Sequence, residues 1–456
     1  MENAGSRSQL KTLIHLTWPI LIEMLLHILV GNVDQLMIAN YSQEAVGGIA
    51  NANQILTSFI LVFSMISTAT TIMVTQYKGV QDEAKVAVIY SVSLVMNFIL
   101  GAVLGGVIVL LADPFFRMIH TPDVFLSAAN TYIRMTGGPI LIQALFSTYS
   151  AIFRSNRMMK TSMVVSVLTN VMNMIGNAVL IYGLGPFPEL GVTGAALSTN
   201  LSRLSGLAVM AFLFHTRMHG RVRKSHFTPF PRRILFQLIG IGIPSGGESF
   251  SFNMTQIVVL TFVNGFGADS TMAFSYSKTV ASFTILFCIS LSQALQVMVG
   301  YHVGAGKYDR AGEITTLATR CSMALTLFLS ILVFFLSDSL FSLFQASLSV
   351  KAICHTLMFL DIFHQFGRSY NLLYLRALQG AGDVRYPTMI GIISTWVLVV
   401  GGGYVFSVLC GLGLNGIWLA MILDECLRGL VFLIRWRRGT WKSKSLVSSQ
   451  KPEVQV

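Results

Sequence analysis

Three ionisable side chains lie inside a segment that is otherwise almost entirely apolar. Glu23, His27 and Asp34 fall within residues 13–39, where most other positions are hydrophobic. At about 3.6 residues per turn, the three positions share one face of a helix. Ionisable groups at membrane depth are costly unless they are paired or face water. The spacing therefore predicts an ion or proton pathway, or a site for a cationic substrate; hydrogen bonding to another helix is the alternative.

The elements that must position these side chains are membrane spans. The 456 residues are 54% hydrophobic and 11% charged, with a mean hydropathy of +0.68, whereas soluble proteins carry about 25% charged residues. Apolar stretches long enough to cross a bilayer recur about twelve times. They lie at residues 13–40, 53–76, 86–111, 129–153, 161–183, 191–214, 234–263, 273–303, 314–337, 352–379, 387–409 and 411–434. The sequence predicts an all-α polytopic membrane protein and shows no alternating pattern typical of a transmembrane barrel.

The basic residues are distributed unevenly among the loops. With a cytoplasmic N-terminus, 24 of the 31 Lys and Arg fall on the cytoplasmic side, four on the opposite side and three inside spans. This asymmetry predicts a multi-pass protein of the cell membrane with both termini cytoplasmic. The net charge of +12 then reflects topology and contact with anionic membrane lipids, and no nucleic-acid partner is expected. The first apolar run is too long for a cleavable signal and is expected to remain as a span.

The chain also contains an internal repeat. Pro19 matches Pro244, and the corner Gln76-Tyr-Lys-Gly79 matches Tyr301-His-Val-Gly304, both at a distance of 225 positions. The stretch Leu190-Gly-Val-Thr-Gly194 matches Leu412-Gly-Leu-Asn-Gly416 at 222 positions. Six spans per half give both halves the same orientation, with a symmetry axis along the membrane normal. The predicted domains are a six-helix lobe at 1–216, a cytoplasmic linker at 217–233, a second six-helix lobe at 234–434 and a basic cytoplasmic tail at 435–456.

These motifs together resemble the multidrug and toxic compound extrusion (MATE) family. The resemblance covers essentially the whole chain. It is carried by Trp18-Pro19, Val33-Asp34, the Gln76-Tyr-Lys-Gly79 corner, Gly194-Ala-Ala-Leu-Ser-Thr199, and Ala377-Leu-Gln-Gly-Ala-Gly-Asp383 with Arg385 and Pro387. It implies two six-helix lobes around a central cavity. It also implies export of bulky organic cations in exchange for protons or sodium.

Within this family the chain is more similar to the DinF-like branch than to the NorM-like branch. The NorM-like branch carries an acid in its tenth span, where this chain has Arg368. In the DinF-like branch, an acid in span one, an Asn and an Asp in span five and a Thr in span six carry the ion chemistry. The matching positions here are Asp34, Asn173, Asn177 and Thr199, so Asn177 replaces one of the two acids.

The missing acid directs attention to other polar groups. Asn173 and Asn177 share a face of span five, and amides at membrane depth need partners. They are expected to bond to Asp34, or simply to another helix. Burial and nearby donors act in opposite directions on a carboxylate, so such a pocket lets Asp34 gain and lose a proton. Glu23 and His27, nearly one turn apart, are candidates for a second titrating pair that replaces the missing acid.

Acids in the second half are candidates for substrate binding. Glu248 has no basic residue near it in sequence and lies among Ser and Asn residues, including Asn253, which suits a wall that binds a cation. Asp361 shares a face of span ten with His364 and Arg368. Those three are expected to form an ion pair within the helix that faces the cavity, and Asp361 is a second candidate for substrate contact.

Two smaller expectations concern local structure. Asp424 and Arg428 are spaced i, i+4 and are expected to pair. Pro19, Pro139 and Pro244 lie within spans and are expected to kink them. The five cysteines include no close pair, so neither a metal site nor a disulfide is predicted.

The sequence therefore predicts a secondary-active efflux antiporter that exports amphiphilic organic cations by alternating access. The coupling ion is expected to be the proton, with sodium as the alternative, and no cofactor or catalytic residue is predicted. A monomer is expected. A flippase for lipid-linked oligosaccharides is a second class, but its cavity needs several Arg or Lys for pyrophosphate. A membrane enzyme is disfavoured because no nucleophile or metalloprotease motif occurs. A channel is disfavoured by the duplicated design.

Overall fold

The computed structural model of the protein describes residues 2–218 and 222–447, with side chains from residue 8 onward, and this part of the chain is almost entirely helical. Parts of the predicted linker and tail, residues 219–221 and 448–456, lie outside the described residues. The α-helices are α1 (Glu2–Tyr41), α2 (Gln43–Gly79), α3 (Glu83–Met118), α4 (Asp123–Gly137), α5 (Leu141–Ser155), α6 (Met159–Tyr182), α7 (Gly191–Arg217), α8 (Arg232–Asn264), α9 (Ala268–Gly304), α10 (Tyr308–Phe335), α11 (Ser337–Leu343), α12 (Leu348–Gly380), α13 (Arg385–Ser394) and α14 (Gly413–Arg438). Short 3₁₀ helices lie at Lys224–Phe227 and Thr440–Lys444, and π-helical turns at Thr395–Gly402 and Val405–Leu409.

All twelve predicted spans fall on helical segments. The fourth is formed by α4 and α5, and the eleventh by α13 with the π-helical turns. Eight helices of the described chain are long and apolar enough to cross a membrane on length and composition alone. Large apolar side chains such as Leu110 and Leu348 are 80% and 85% exposed. A helix satisfies its backbone hydrogen bonds internally, and this is what an apolar surrounding requires. The chain is a multi-pass membrane protein.

One of the three predicted proline kinks is a clear interruption. Residues Gly138 to Ile140 separate α4 from α5, and the N–H of Gly138 still donates to Arg134 O at 3.1 Å. Pro139 has no N–H and its ring displaces the preceding turn, so the helix breaks there as expected. By contrast, α1 and α8 run through Pro19 and Pro244 without a break.

A further irregularity lies in α3 and was not predicted. Leu111 has non-helical angles of φ −110° and ψ 17°, three residues before Pro114. Proline clashes with the turn before it and removes one hydrogen bond, which accounts for the distortion. The sequence contains this signal in plain view, since Pro114 follows a predicted span directly.

The internal repeat is visible in the backbone. Gly191 and Gly413, which are equivalent in the two halves, begin α7 and α14 with φ values of +53° and +54°. This left-handed region favours glycine because a side chain would clash there. At the other matched corner, a Cβ on Gly79 would lie 2.8 Å from Gly304 Cα, so the two corners pack backbone against backbone. The duplicated motifs therefore adopt matching conformations.

By its contacts the chain divides into two compact units, which we name by their larger parts. The N-terminal unit comprises Ile22–Val74 and Asp82–Gly246; the C-terminal unit comprises Met1–Leu21, Thr75–Gln81 and Gly247–Val456. A core around Phe63 and Phe116 fills the former, and one around Phe341 and Trp418 fills the latter. The four-part domain division predicted from the sequence stays a prediction.

Candidate functional site

A polar cavity lies inside the N-terminal unit. Its volume is about 370 Å³, and its wall is formed by residues of α1, α2, α4, α6 and α7. The polar side chains that line it include His27, Asp34, Asn53, Tyr132, Asn177 and Thr199. Four of these six were predicted as ion-coupling residues from the sequence.

Asp34 and Asn177 form a hydrogen-bonded pair at the wall of this cavity. The Asn177 Nδ2 atom donates a hydrogen bond of 2.9 Å to Asp34 Oδ1, joining α6 to α1. Asn177 is 2% exposed, whereas Asp34 is half-buried at the cavity wall. The amide oxygen of Asn177 is buried and has no hydrogen-bond partner among the described residues. The expected contact between the carboxylate and the amide is therefore present, with one acceptor left open.

Asn173 and Thr199 meet one helical turn away from this pair. The Asn173 Nδ2 atom lies 3.3 Å from both Ser198 Oγ and Thr199 Oγ1, and Ser198 Oγ donates to Asn173 O at 2.8 Å. Gly176 allows this packing of α6 on α7, because a Cβ there would lie 2.5 Å from Ser198 Oγ. Asn173 thus bonds to Ser198 and Thr199 of α7 and not to Asp34, the partner that the sequence predicted for it.

One residue that lines the cavity, Tyr132, was not predicted from the sequence, and a basic residue of α7 lies close enough to act on it. Tyr132 of α4 is 8% exposed, and its hydroxyl interacts with Thr199 of α7 and Asn53 of α2. Arg203, one turn after Thr199, is the basic group that acts electrostatically on both Tyr132 and Asp34. A buried Tyr hydroxyl usually needs a partner, which is the only sequence-level signal that Tyr132 offers.

Glu23 and His27 occupy different surroundings although they share a helix face. The Glu23 Oε1 atom accepts a 2.8 Å hydrogen bond from Ser166 Oγ of α6, and its Oε2 atom is buried with no partner among the described residues. His27 is exposed and lines the cavity near Asp34. The two side chains form no hydrogen bond or ion pair with each other in the described part of the chain. Their role as a second titrating pair stays a prediction.

The C-terminal unit contains a separate buried network of charges. Arg428 pairs with Asp424 within α14, as predicted, and lies 3.6 Å from Glu425 Oε1. Arg368 of α12 approaches the same Glu425 oxygen at 3.5 Å, while Asn371 Nδ2 donates to Glu425 Oε2 at 2.5 Å. Glu425 was missed from the sequence, and it draws Arg368 across to α14. Opposite charges at this depth are held because each is paired.

Asp361 is bonded to only one of the two partners that were predicted for it. Its Oδ1 atom lies 3.2 Å from His364 Nδ1, and its Oδ2 atom accepts from Gln365 Nε2 at 3.0 Å. The predicted pairing with His364 is present, but the predicted pairing with Arg368 is wrong, because Glu425 binds that side chain. Asp361 is 2% exposed. Its contact with substrate stays a prediction.

Glu248 and Asn253 lie on α8. Glu248 makes no hydrogen bond or ion pair with the described residues; Arg428 and Arg376 act on it electrostatically from α14 and α12. It packs against Gly391, where a Cβ would lie 2.9 Å from Glu248 Oε1. Asn253 is exposed, and its Nδ2 atom donates to Ser249 O at 2.8 Å. Cation binding by both residues stays a prediction.

A duplicated bundle of membrane helices, with an ionisable side chain in the wall of a cavity, is typical of a membrane transporter. The sequence model of the MatE family matches residues 19–179 and again 244–405, one copy for each half of the repeat. The chain belongs to the MATE family. It is similar to "Uncharacterized transporter YisQ" of Bacillus subtilis, with 33% identity over 95% of this chain and 96% of that protein.

Other relatives support the same assignment. The chain is 24% identical to "Probable multidrug resistance protein NorM" of Thermotoga maritima over 97% of its own length and 95% of the other's. Among solved structures, "Crystal structure of MATE in the bent conformation" superposes with a TM-score of 0.88 at 18% identity, covering 97% of both chains. The fold is thus the two-lobed helical repeat of this family, and the closer similarity to the DinF-like branch stays a prediction.

Proposed function

We propose that this protein is a proton-coupled antiporter that exports amphiphilic organic cations, with Asp34 as the group that exchanges the proton. It acts in the cell membrane as a monomer, with both termini cytoplasmic. The observation that carries the proposal is the Asp34–Asn177 pair at the wall of the cavity. A carboxylate at membrane depth that faces a cavity is a functional group by default.

Asn177 suits both charge states of Asp34. Its Nδ2 atom donates to Asp34 Oδ1, as an ionised carboxylate requires, and its Oδ1 atom is buried and has no partner in the described part of the chain. Rotation of the amide by half a turn would present Oδ1 to Asp34 as an acceptor for the acid O–H. The amide orientation is set by the hydrogen-bond network and follows the proton. Asp34 then has a hydrogen-bond partner in Asn177 in either protonation state.

The preference for cationic cargo rests on charge. When Asp34 releases its proton, the cavity gains a negative charge that attracts a cation and excludes an anion. In the C-terminal unit, Glu248 lies within a predicted span and forms no ion pair with the described residues, and Arg428 and Arg376 act on it only electrostatically. The name of the Thermotoga maritima relative, a probable multidrug resistance protein, supports a cargo of more than one kind of drug.

The proposal is tested in everted membrane vesicles loaded with the protein. Uptake of a fluorescent amphiphilic cation is followed while a proton gradient or a sodium gradient is imposed separately. Transport driven by the proton gradient in sodium-free buffer, and its loss in Asp34→Asn, is the expected result. Transport that needs sodium and moves no protons would contradict proton coupling.

Sodium coupling is the second candidate, and one observation favours it. The Asn177 Oδ1 atom has no partner among the residues that the structure describes, and with the Asp34 carboxylate and the Thr199 hydroxyl on the same cavity wall it offers oxygen ligands to a hard cation. Only one of these ligands is anionic, which gives a monovalent cation little electrostatic stabilisation. In the vesicle experiment, sodium coupling would appear as uptake driven by a sodium gradient at equal pH on both sides.

A further inference from the structure

The side chain of Gln76 is fully buried and uses both ends of its amide. Gln76 lies in the last turn of α2 and is 0% exposed. Its Nε2 atom donates to Gly380 O at 2.8 Å, at the end of α12. Its Oε1 atom accepts from Leu446 N at 2.8 Å and from Ser445 Oγ at 3.4 Å. One side chain thus joins the ends of two membrane helices to a segment that follows the last span.

That segment, residues 440–446, packs between Trp436 on one side and Gly382 on the other, and we call this place the seat. It begins with the 3₁₀ helix Thr440–Lys444, directly after the left-handed Gly439 at φ +72°. Trp441 is 2% exposed and stacks on Trp436 with ring centroids 4.1 Å apart and planes 8° apart. The Trp441 Nε1 atom donates to Trp436 O at 2.9 Å. A stacked and hydrogen-bonded tryptophan fixes the path of the chain toward Gln76.

The opposite wall of the seat is formed by Gly382 and Asp383, the pair that the sequence analysis placed in the family-like signature. Gly382 has φ +92°, and a Cβ there would lie 2.6 Å from Lys444 O and 3.2 Å from Gln76 Nε2. Asp383 accepts two hydrogen bonds from Arg435, of 2.5 and 3.1 Å, which orient the end of α14. Only a glycine at 382 leaves room for the segment.

We propose that residues 440–446 form a latch that Gln76 closes, and that the latch opens and closes during the transport cycle. Residues Gln43 to Val74 of α2 belong to the N-terminal unit, whereas its last turn belongs to the C-terminal unit. The helix is continuous, so the latch fixes the position of its end. Movement of the end of α2 relative to Gly380 and to Leu446 requires the Gln76 hydrogen bonds to break. The effect on transport rests on the proposed function; the closure of the latch does not.

Two substitutions open the latch from opposite sides. Gln76→Leu keeps the side-chain volume close to that of Gln but removes all three hydrogen bonds. Leu446→Pro removes only the N–H that donates to Gln76. Ser445 has φ −55° and ψ 131°, the extended conformation that a residue before proline prefers. Leu446→Ala is the matched control, because it trims the same side chain and keeps the N–H.

Hydrogen–deuterium exchange of the full-length protein in detergent tests whether Gln76 holds the segment. A net hydrogen bond contributes about 0.5–1.5 kcal/mol, so both opening substitutions should speed exchange at residues 440–445 by about two- to tenfold. Leu446→Ala should exchange like the parent. Unchanged exchange in Gln76→Leu, in protein that elutes as a single folded species, would overturn the latch.

Vesicle transport then tests whether the latch belongs to the cycle. Turnover of Gln76→Leu and Leu446→Pro, under whichever ion gradient drives the parent, should change by at least about twofold and in the same direction. Faster exchange with turnover equal to that of Leu446→Ala would overturn a role in transport. If the parent moves no organic cation, the proposed function fails, while the exchange experiment still decides whether the latch exists.

Discussion

Replacing Asn177 with Asp would place a second carboxylate against Asp34. The Asn177 Nδ2 atom lies 2.9 Å from Asp34 Oδ1, so the two charges of the variant would be roughly 4 Å apart. Two unit charges at that distance repel by about 4 kcal/mol at an effective dielectric constant of about 20. At about 1.4 kcal/mol per pH unit, this repulsion would move the midpoint of proton loading by about 3 pH units. Solvent screens a half-buried group, so we expect the midpoint to move by at least about 1 pH unit.

The assay is the rate of cation transport in everted vesicles as a function of pH. The pair of carboxylates should hold one shared proton, so the variant should load it at higher pH than the parent. The midpoint of the profile of rate against pH should therefore move to higher pH, while the amount of protein in the membrane stays the same. Asn177→Leu is the control: it has similar volume, cannot titrate, and should weaken transport without this upward shift. A profile of Asn177→Asp that coincides with the parent's would refute coupling between the two positions and redirect attention to Glu23 and His27.

Three further outcomes are expected. Asp34→Asn should abolish proton-driven efflux while the protein still inserts, because an amide never titrates; wild-type efflux by this variant would end the hypothesis. Proton release from the lumen of everted vesicles should accompany each pulse of cation in sodium-free buffer, because an antiporter moves the two in opposite directions, and a pulse that moves no protons would indicate another coupling ion. Arg428→Met should lower the free energy of unfolding by about 3–5 kcal/mol because it leaves Asp424 and Glu425 buried without their main partner. Arg368→Met should lower it less because the Arg368 side chain is 25% exposed. Thermal unfolding in detergent compares the two variants, and equal losses of stability would contradict the network.

The sequence located the spans and the central pair for identifiable reasons. Apolar stretches must be helical in a membrane, so all twelve could be read directly. Asp34 stands out because an acid in such a stretch is rare, and the spacing of Asn173 and Asn177 marks one face of α6. Which helix that face contacts depends on the tertiary structure. Only the structure shows that Asn177 reaches Asp34 while Asn173 reaches Thr199.

The residues that escaped prediction depend on contacts between segments distant in the chain. Glu425 redirects Arg368 away from Asp361, although Arg368 and Asp361 share a helix face. Helical spacing shows which side chains can meet within a helix, but a neighbouring helix competes for the same charge. Gln76 is a similar case, since its hydrogen bonds run to residues more than 300 positions away. No local pattern encodes such a distance.

The two matched corners also constrain how the halves of this chain can diverge. A Cβ on Gly79 would lie 2.7 Å from Ala305 N, and a Cβ on Gly304 would lie 2.8 Å from Gln76 Cα. Each duplicated glycine thus makes room for the backbone of the other copy. After the duplication, a substitution at either corner would have disturbed both copies at once, so neither could drift alone. The close packing therefore requires glycine at both positions together, and this accounts for the match between the two halves at these residues.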